Sequence, residues 1–197
     1  IGLSLVGSEM CIRDRNHVNE LQKIPTNYGV EVDIRCSDNK LVLSHDPEEN
    51  KEDFSYYINF YEHQLLVANI KESGIEEQVV DELEKKNISN FFLLDIEFPY
   101  IYQNFEKHGE NLSLRYSKYE GIDTVQNFIG KVKWVWVDTY EDFDLDSKTA
   151  SILNNFNLCL VSPTRWGYEN KTNYYQEKFK KYDLFFDAIM IDHYKEG

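Results

Sequence analysis

The stretch GVEVDIRCSDNKLVLSHDP, from Gly29 to Pro47, carries the pattern that decides the fold prediction. Its first half alternates apolar and charged residues, which predicts a β-strand with one apolar face and one charged face. The charged face consists of Glu31, Asp33 and Arg35. Burial without partners is costly for ionised groups, so we expect these residues to pair with one another or to bind a metal ion. The alternative is a half-exposed antiparallel strand whose charged face is solvated.

Composition narrows the classes of partner. The formal charge of −14, from 35 acidic and 21 basic side chains, opposes binding to nucleic acid and to anionic membranes. Three cysteines without close spacing, Cys11, Cys36 and Cys159, are typical of reduced thiols in a cytoplasm. We therefore expect a cytoplasmic protein that acts on a small molecule, with no nucleic-acid partner and no membrane insertion. The sequence leaves the oligomeric state open.

The first fifteen residues, IGLSLVGSEMCIRDR, resemble a translated sequencing adaptor of the kind found at the edges of unrelated reading frames. They have neither the basic start of a signal peptide nor the long apolar run of a membrane span. We therefore expect residues 1–15 to be foreign to the native protein and residues 16–197 to form a single domain. A genuine, slightly apolar first strand is the alternative.

Short apolar runs alternate with helical patterns from Asn16 onward. Strands are predicted to begin at Gly29, Lys40, Gln64, Phe91, Leu112, Lys133, Leu158 and Ala188, and helices at Gly74, Tyr100, Gly121, Ser147 and Thr172. This alternation is typical of βα units in a parallel sheet. A closed TIM barrel and an open doubly wound sheet both fit it.

Polar residues inside the strands favour the barrel. Helices cover both faces of a doubly wound sheet, so its central strands tend to be apolar throughout, whereas a barrel collects polar residues at the carboxyl ends of several strands. Such residues here are Glu31, Asp33, Arg35, Asn69, Lys71, Asp95, Glu97, Arg115, Asp138 and Ser162. We therefore predict an α/β fold, a small TIM (β/α)8-type barrel, whose first strand is replaced or incomplete if residues 1–15 are foreign.

The segment GVEVDIR…NKLVLSHDP resembles the glycerophosphodiester phosphodiesterase family, which belongs to the phospholipase-C-like TIM-barrel phosphodiesterases. The family pattern has H-R-G or H-R-x-N, then E-x-D, a short hairpin that ends in H-D, and later E-x-K. Glu31 and Asp33 match the E-x-D motif, and His45 and Asp46 match H-D. The resemblance implies a metal-dependent phosphoric diester hydrolase that cleaves a glycerol-, polyol- or sugar-linked phosphodiester.

The resemblance also implies roles for individual residues. Mg²⁺ or Ca²⁺ would be held by Glu31 and Asp33, with Asn69 at the position of the third ligand. Asp95, at the end of the following strand, would make up for the charge that Asn69 lacks if it faces the same lumen. His45 would be one half of an acid–base pair, and Lys71 or Arg115 would neutralise charge that develops on the phosphate. Substrate contacts are expected from Arg35, Arg115, Trp136 and Asp138.

Two departures from the family pattern leave a second function open. The H-R motif aligns with Arg13 and Asp14, inside the suspect segment, so the first catalytic histidine is missing from this sequence. Asn69 stands where the E-x-K motif has its glutamate, and an uncharged amide lowers the expected cation affinity. An inactive barrel that binds a phosphate ligand or serves as a regulatory module is therefore the alternative hypothesis.

Overall fold

The structure is a computed structural model that describes residues 9–47, 51–143, 145–168 and 171–192. These residues divide into two compact units. The N-terminal unit comprises Cys11–Gln103, and the C-terminal unit comprises residues 104–192 as described, with Glu9 and Met10. Among the described residues, no helix combines the length and the apolar character that crossing a bilayer requires.

The N-terminal unit is built around strand β2. Its strands are the end of β1 (Glu9–Ile12), β2 (Gly29–Ser37), β3 (Lys40–Leu43), β4 (Glu52–Asp53), β5 (Leu66–Ile70) and β6 (Phe91–Leu94). Its helices are α1 (Val18–Leu21), α2 (Phe54–Tyr57), α3 (Glu76–Lys85) and the start of α4 (Phe98–His108). Strands β1 and β5 pair with β2 in parallel, β6 pairs in parallel with β5, and β3 is antiparallel to both β2 and β4.

A two-residue turn joins β2 to β3. Asp38 and Asn39 have φ angles of 51° and 61°, and Ser37 pairs with Lys40 across the turn. Positive φ at both central residues is the requirement of a type I′ hairpin, which asparagine and aspartate tolerate well. The hairpin brings the chain after β3 back along β2, where the Ser44 N–H donates to the Asp33 carbonyl at 3.0 Å.

Both faces of β2 are buried. The apolar residues Val30, Val32 and Ile34 have no exposed surface, and on the other face Glu31 is 1% exposed and Asp33 is 0% exposed. The alternative of a solvated charged face is therefore wrong for these two carboxylates, which must find partners inside the protein.

Strand β1 comes from the segment that the sequence analysis assigned to an adaptor. Cys11 and Ile12 pair with Gly29 and Val30. A Cβ atom on Gly29 would lie 2.5 Å from Cys11 Sγ and 2.8 Å from the Leu65 carbonyl oxygen, so the absence of a side chain lets the neighbouring segments approach β2 closely. The foreign origin of residues 1–15 stays a prediction, as does the single domain over residues 16–197.

The C-terminal unit consists of consecutive βα units. Its strands are β7 (Ser113–Tyr116), β8 (Trp134–Val137), β9 (Asn157–Val161) and β10 (Ala188–Ile191), and its helices are the end of α4, α5 (Ile122–Gln126), α6 (Ser147–Leu153) and α7 (Thr172–Lys181). The four strands pair in parallel in the order β7-β8-β9-β10. The carboxyl ends of all four therefore point the same way.

All eight predicted strands and all five predicted helices are present, with some boundaries shifted. The strand from Phe91 ends at Leu94 because Asp95 takes a left-handed φ of 58°, which a strand cannot continue. The helix predicted from Tyr100 begins at Phe98. Strand β4 and helix α2 were not predicted, since two and four residues are too few to show a hydrophobic period.

His63 gives the fold a pH-dependent contribution to its stability. The ring is buried, and Nε2 lies 3.0 Å from the Ile24 carbonyl oxygen, to which it donates. Burial lowers the pKa of His63 from its ordinary value of 6.5. The unfolded protein therefore binds a proton more readily than the folded protein does, so the free energy of unfolding falls as the pH drops below about 6.5.

We expect the melting temperature of the parent to fall more between roughly pH 7.5 and pH 5.5 than that of His63→Gln, because the amide can donate to Ile24 without titrating. Circular dichroism melts of both proteins at the two pH values measure the difference. If the variant loses as much as the parent over this interval, His63 does not contribute the pH dependence.

Candidate active site

Asp33, on β2, is the centre of a polar cluster in the N-terminal unit. Its Oδ1 lies 2.9 Å from Lys71 Nζ and accepts a hydrogen bond from Asn69 Nδ2 at 3.2 Å. Its Oδ2 accepts from Asn16 Nδ2 at 3.0 Å and lies 3.1 Å from His45 Nδ1. These four donors offset the cost of removing the carboxylate from water.

Strand register explains why these residues meet. Asp33 pairs with Asn69 on the parallel strand β5, and Lys71 directly follows that strand. Asn16 follows β1, and its Oδ1 also accepts from the Asp33 backbone N–H at 2.8 Å. Strand β3 leads the chain back along β2 and brings His45 beside Asp33. The carboxyl ends of three parallel strands and one hairpin arm therefore supply the cluster.

Glu31 is the second buried carboxylate of the cluster. Its Oε1 accepts from Asn69 Nδ2 at 2.8 Å, and its Oε2 accepts from the Asp14 backbone N–H at 2.9 Å. Burial, followed by the charge of Asp33, raises the pKa of Glu31 to about 7. Burial also acts to raise the pKa of Asp33, but hydrogen bonds from Asn16 and Lys71 outweigh it and hold that pKa below its ordinary value. Asp33 is therefore the more acidic carboxyl group of the pair.

The Asn69 amide bridges the two carboxylates with its NH₂ group, while its oxygen points elsewhere. Asn69 Oδ1 is buried, and among the described residues no donor reaches it. An unpartnered buried acceptor costs free energy, so this atom is suited to a cation or to another donor. The carboxylate oxygens of Glu31 and Asp33 and the amide oxygen of Asn69 are the kind of ligand atom that a hard divalent cation prefers. The residues thus fit Mg²⁺ or Ca²⁺, provided that the cation displaces the bridging NH₂.

Asp14, Asp33 and His45 offer another set of donor atoms, which lie within 4.8 Å of one another. The imidazole nitrogen in this set suits a transition metal better than Mg²⁺ or Ca²⁺. Asp95, predicted as a fourth ligand, is exposed just after β6 and does not belong to this set. Its role as a ligand stays a prediction.

Arg35 lies at the end of β2 beside His45. Its Nη2 and Nε donate to the His45 carbonyl oxygen at 2.9 and 3.3 Å, and its Nη1 lies 3.4 Å from Glu72 Oε1. The structure therefore places the guanidinium on the backbone of the predicted acid–base residue. A contact between Arg35 and substrate stays a prediction.

The other three predicted substrate-binding residues meet in the C-terminal unit. Arg115 Nη1 lies 3.1 Å from Asp138 Oδ2, and Trp136 Nε1 donates to the same oxygen at 3.1 Å. The Arg115 guanidinium carbon lies 6.0 Å from the centre of the Trp136 ring. Arg115 and Trp136 are register partners on β7 and β8, and Asp138 follows β8. The three side chains therefore form one group, and its contact with substrate stays a prediction.

Three residues of this region were not predicted from the sequence: Asp14, Asn16 and Glu72. A signal for Asn16 was present, because alignment of H-R with Arg13 and Asp14 places Asn16 on the asparagine of H-R-x-N. The backbone N–H of Asp14 and the carboxylate of Glu72 contribute through local geometry that no motif records.

Comparison with solved structures identifies the architecture. Glycerophosphodiester phosphodiesterase from Agrobacterium tumefaciens str. C58 aligns with a TM-score of 0.62 over 94% of this chain and 97% of its own, at 9% identity. Glycerophosphoryl diester phosphodiesterase from Parabacteroides distasonis ATCC 8503 aligns with a TM-score of 0.60 over 93% and 82%, at 11% identity. The fold is that of the glycerophosphodiester phosphodiesterases.

The predicted TIM-barrel-type fold is thereby confirmed. The alpha subunit of tryptophan synthase from Campylobacter jejuni also aligns, with a TM-score of 0.56 over 96% of this chain and 88% of its own, at 10% identity. No family profile matches the sequence, and no curated protein is significantly similar to it. Because one fold hosts unrelated reactions, the function must be argued from the residues of the cluster.

We expect Asp33→Ala to lower the free energy of unfolding by about 3–5 kcal/mol, because it leaves the Lys71 ammonium and the Asn16 amide without their common partner. Urea denaturation of the parent and the variant measures the loss. Adding Lys71→Met to the variant should recover part of it by removing the stranded charge. Unchanged denaturation midpoints would show that Asp33 does not hold the cluster together.

Proposed function

We propose that the protein is a metal-dependent phosphoric diester hydrolase that cleaves a glycerol-, polyol- or sugar-linked phosphodiester. The observation that carries the proposal is a polar cluster at the carboxyl ends of parallel strands, in which buried Glu31, Asp33 and Asn69 meet half-buried Lys71 and exposed His45. Active sites of (β/α)8 enzymes form at this end of the strands. The phosphodiesterases that share the fold support the same assignment.

Glu31 and Asp33, with the oxygen of Asn69, would hold Mg²⁺ or Ca²⁺, and such an ion supplies polarisation of a phosphoryl oxygen. Lys71 would add positive charge at the phosphate. Its Nζ is anchored 2.9 Å from Asp33, so it is held in position before a substrate arrives.

His45 would carry the proton transfer. Its Nδ1 is paired with Asp33 Oδ2, so Nε2 is the atom that takes a proton from a nucleophile or gives one to a leaving alcohol. The buried carboxylate orients the ring and stabilises the imidazolium form when it arises. The side chain is 48% exposed, which leaves it accessible to a substrate.

Two further parts of the proposal rest on composition. The acidic charge favours a small-molecule substrate over nucleic acid. Cys11, Cys36 and Cys159 are free thiols in the structure, as a reducing compartment requires, and we propose a cytoplasmic location.

The alternative function, a catalytically inactive barrel that binds a phosphate ligand, is favoured by one observation. The Asn69 NH₂ group donates to both carboxylates, and Lys71 pairs with Asp33. The two acids are thus compensated without a metal ion. A site stabilised in this way can persist as a structural element or bind a phosphate group through Lys71.

We expect the parent to hydrolyse glycerophosphocholine or glycerophosphoethanolamine in the presence of Mg²⁺ or Ca²⁺, and His45→Ala to lower kcat by about 10²- to 10⁴-fold. Release of glycerol phosphate in a coupled assay measures the rate. His17→Ala is the matched control, since His17 pairs with Glu52 outside the cluster. A parent that is inactive towards both substrates with either ion would favour the binding module.

Asn69→Asp tests the cation site directly. The third carboxylate repels Glu31 and Asp33 in the absence of a cation and attracts one when it is present. We expect the melting temperature of the variant to rise at lower Mg²⁺ or Ca²⁺ concentrations than that of the parent. Thermal melts over a titration of each ion measure this, with Asn155→Asp, at an exposed position, as the control. If neither ion shifts the melting temperature of the parent or of Asn69→Asp, the cluster is not a cation site.

A further inference from the structure

We propose that Arg35 and Glu72 form a clamp that positions His45 for proton transfer, so that Arg35 is a positioning residue and not a substrate contact. This proposal rests on the function proposed above. It also assigns a role to Glu72, which no motif of the sequence singles out. The clamp is defined here as the Arg35 guanidinium, the Glu72 carboxylate, the His45 carbonyl and the Cys36 backbone N–H.

The first arm of the clamp fixes the backbone of His45. Arg35 Nη2 and Nε both donate to the His45 carbonyl oxygen, at 2.9 and 3.3 Å. The two donors belong to one rigid guanidinium plane, so they restrict the carbonyl in direction as well as in distance. Fixing this carbonyl restricts the backbone of His45, whose Nδ1 lies 3.1 Å from Asp33 Oδ2.

The second arm anchors the guanidinium. Glu72 Oε1 lies 3.4 Å from Arg35 Nη1, and Glu72 Oε2 accepts from the Cys36 backbone N–H at 3.2 Å. Glu72 is therefore fixed to the end of β2 and holds Arg35 through a different nitrogen from those that bind His45. The Arg35 side chain is only 15% exposed, which is consistent with an internal role.

The need for a clamp follows from the exposure of His45. Half of its side chain is exposed, so packing alone does not hold the ring. Three of the five guanidinium N–H donors are committed to His45 and Glu72, which leaves Arg35 poorly placed to grip a phosphate. A displacement of an acid–base group by about 1 Å can lower the rate by about 10²-fold.

Kinetics separate positioning from substrate binding. We expect Arg35→Met and Glu72→Gln to lower kcat by about 10- to 100-fold with KM nearly unchanged, and Arg35→Lys to retain more activity than Arg35→Met. In a His45→Ala background, Arg35→Met should cause no further loss, because its effect acts through His45. The control is Glu110→Gln, which breaks an exposed ion pair with Lys133.

A readout that needs no activity tests the clamp by itself. Long-range ¹H–¹⁵N spectra of the imidazole rings should show shifted or broadened His45 signals in Arg35→Met and Glu72→Gln, and parent-like signals in Glu110→Gln. If the parent is inactive but its His45 signals change in both variants, the proposed hydrolase function is wrong and the clamp is still supported. If the positions and widths of the His45 signals are the same in the parent and in both variants, the clamp proposal is wrong, whatever the activity. A rise in KM that persists in the His45→Ala background also overturns it, because Arg35 would then bind substrate.

Discussion

The charge on Asp33 is the constraint on which the N-terminal unit depends. A carboxylate with no exposed surface needs donors, and it receives them from Asn16, His45, Asn69 and Lys71, which lie in three separate segments of the sequence. The ends of β1, β3 and β5 are thereby tied to one pair of oxygen atoms. Because His45, Asn69 and Lys71 also have proposed roles in the chemistry, the same bonds that stabilise the fold arrange the candidate site.

Glu31 and Asp33 lie two residues apart on one strand, but their pKa values are shifted in opposite directions. Burial raises the pKa of Glu31 to about 7, while hydrogen bonds and the Lys71 ammonium outweigh burial at Asp33 and lower its pKa. Separation of this kind is typical of functional sites, where neighbouring acids take different tasks. The common donor of both acids is Asn69, so a substitution at position 69 acts on both carboxylates at once.

Sequence periodicity predicted this arrangement up to the level of faces and strand ends. Alternation placed Glu31, Asp33 and Arg35 on one face, and the order of strands and helices led to the fold. Periodicity could not show that the Arg35 guanidinium turns to the His45 carbonyl, because a side chain at a strand end is directed by tertiary contacts. Nor could it show that Asn69 presents nitrogen to the acids, since the orientation of an amide depends on its neighbours. Strand β6 ends at Leu94 because Asp95 has a left-handed φ angle, a conformation that the alternation of residues does not reveal.

Whether the cluster acts as a metal site depends on a competition at Asn69. A cation must displace two hydrogen bonds to carboxylates, each worth about 1.5–3 kcal/mol, or roughly 3–6 kcal/mol together. Giving the buried Oδ1 a partner returns about 1–3 kcal/mol. The remaining roughly 2–3 kcal/mol correspond to a loss of about 30- to 150-fold in cation affinity relative to a site without the bridge. The amide at position 69 therefore sets the cation concentration at which an internally bonded cluster would give way to a metal site.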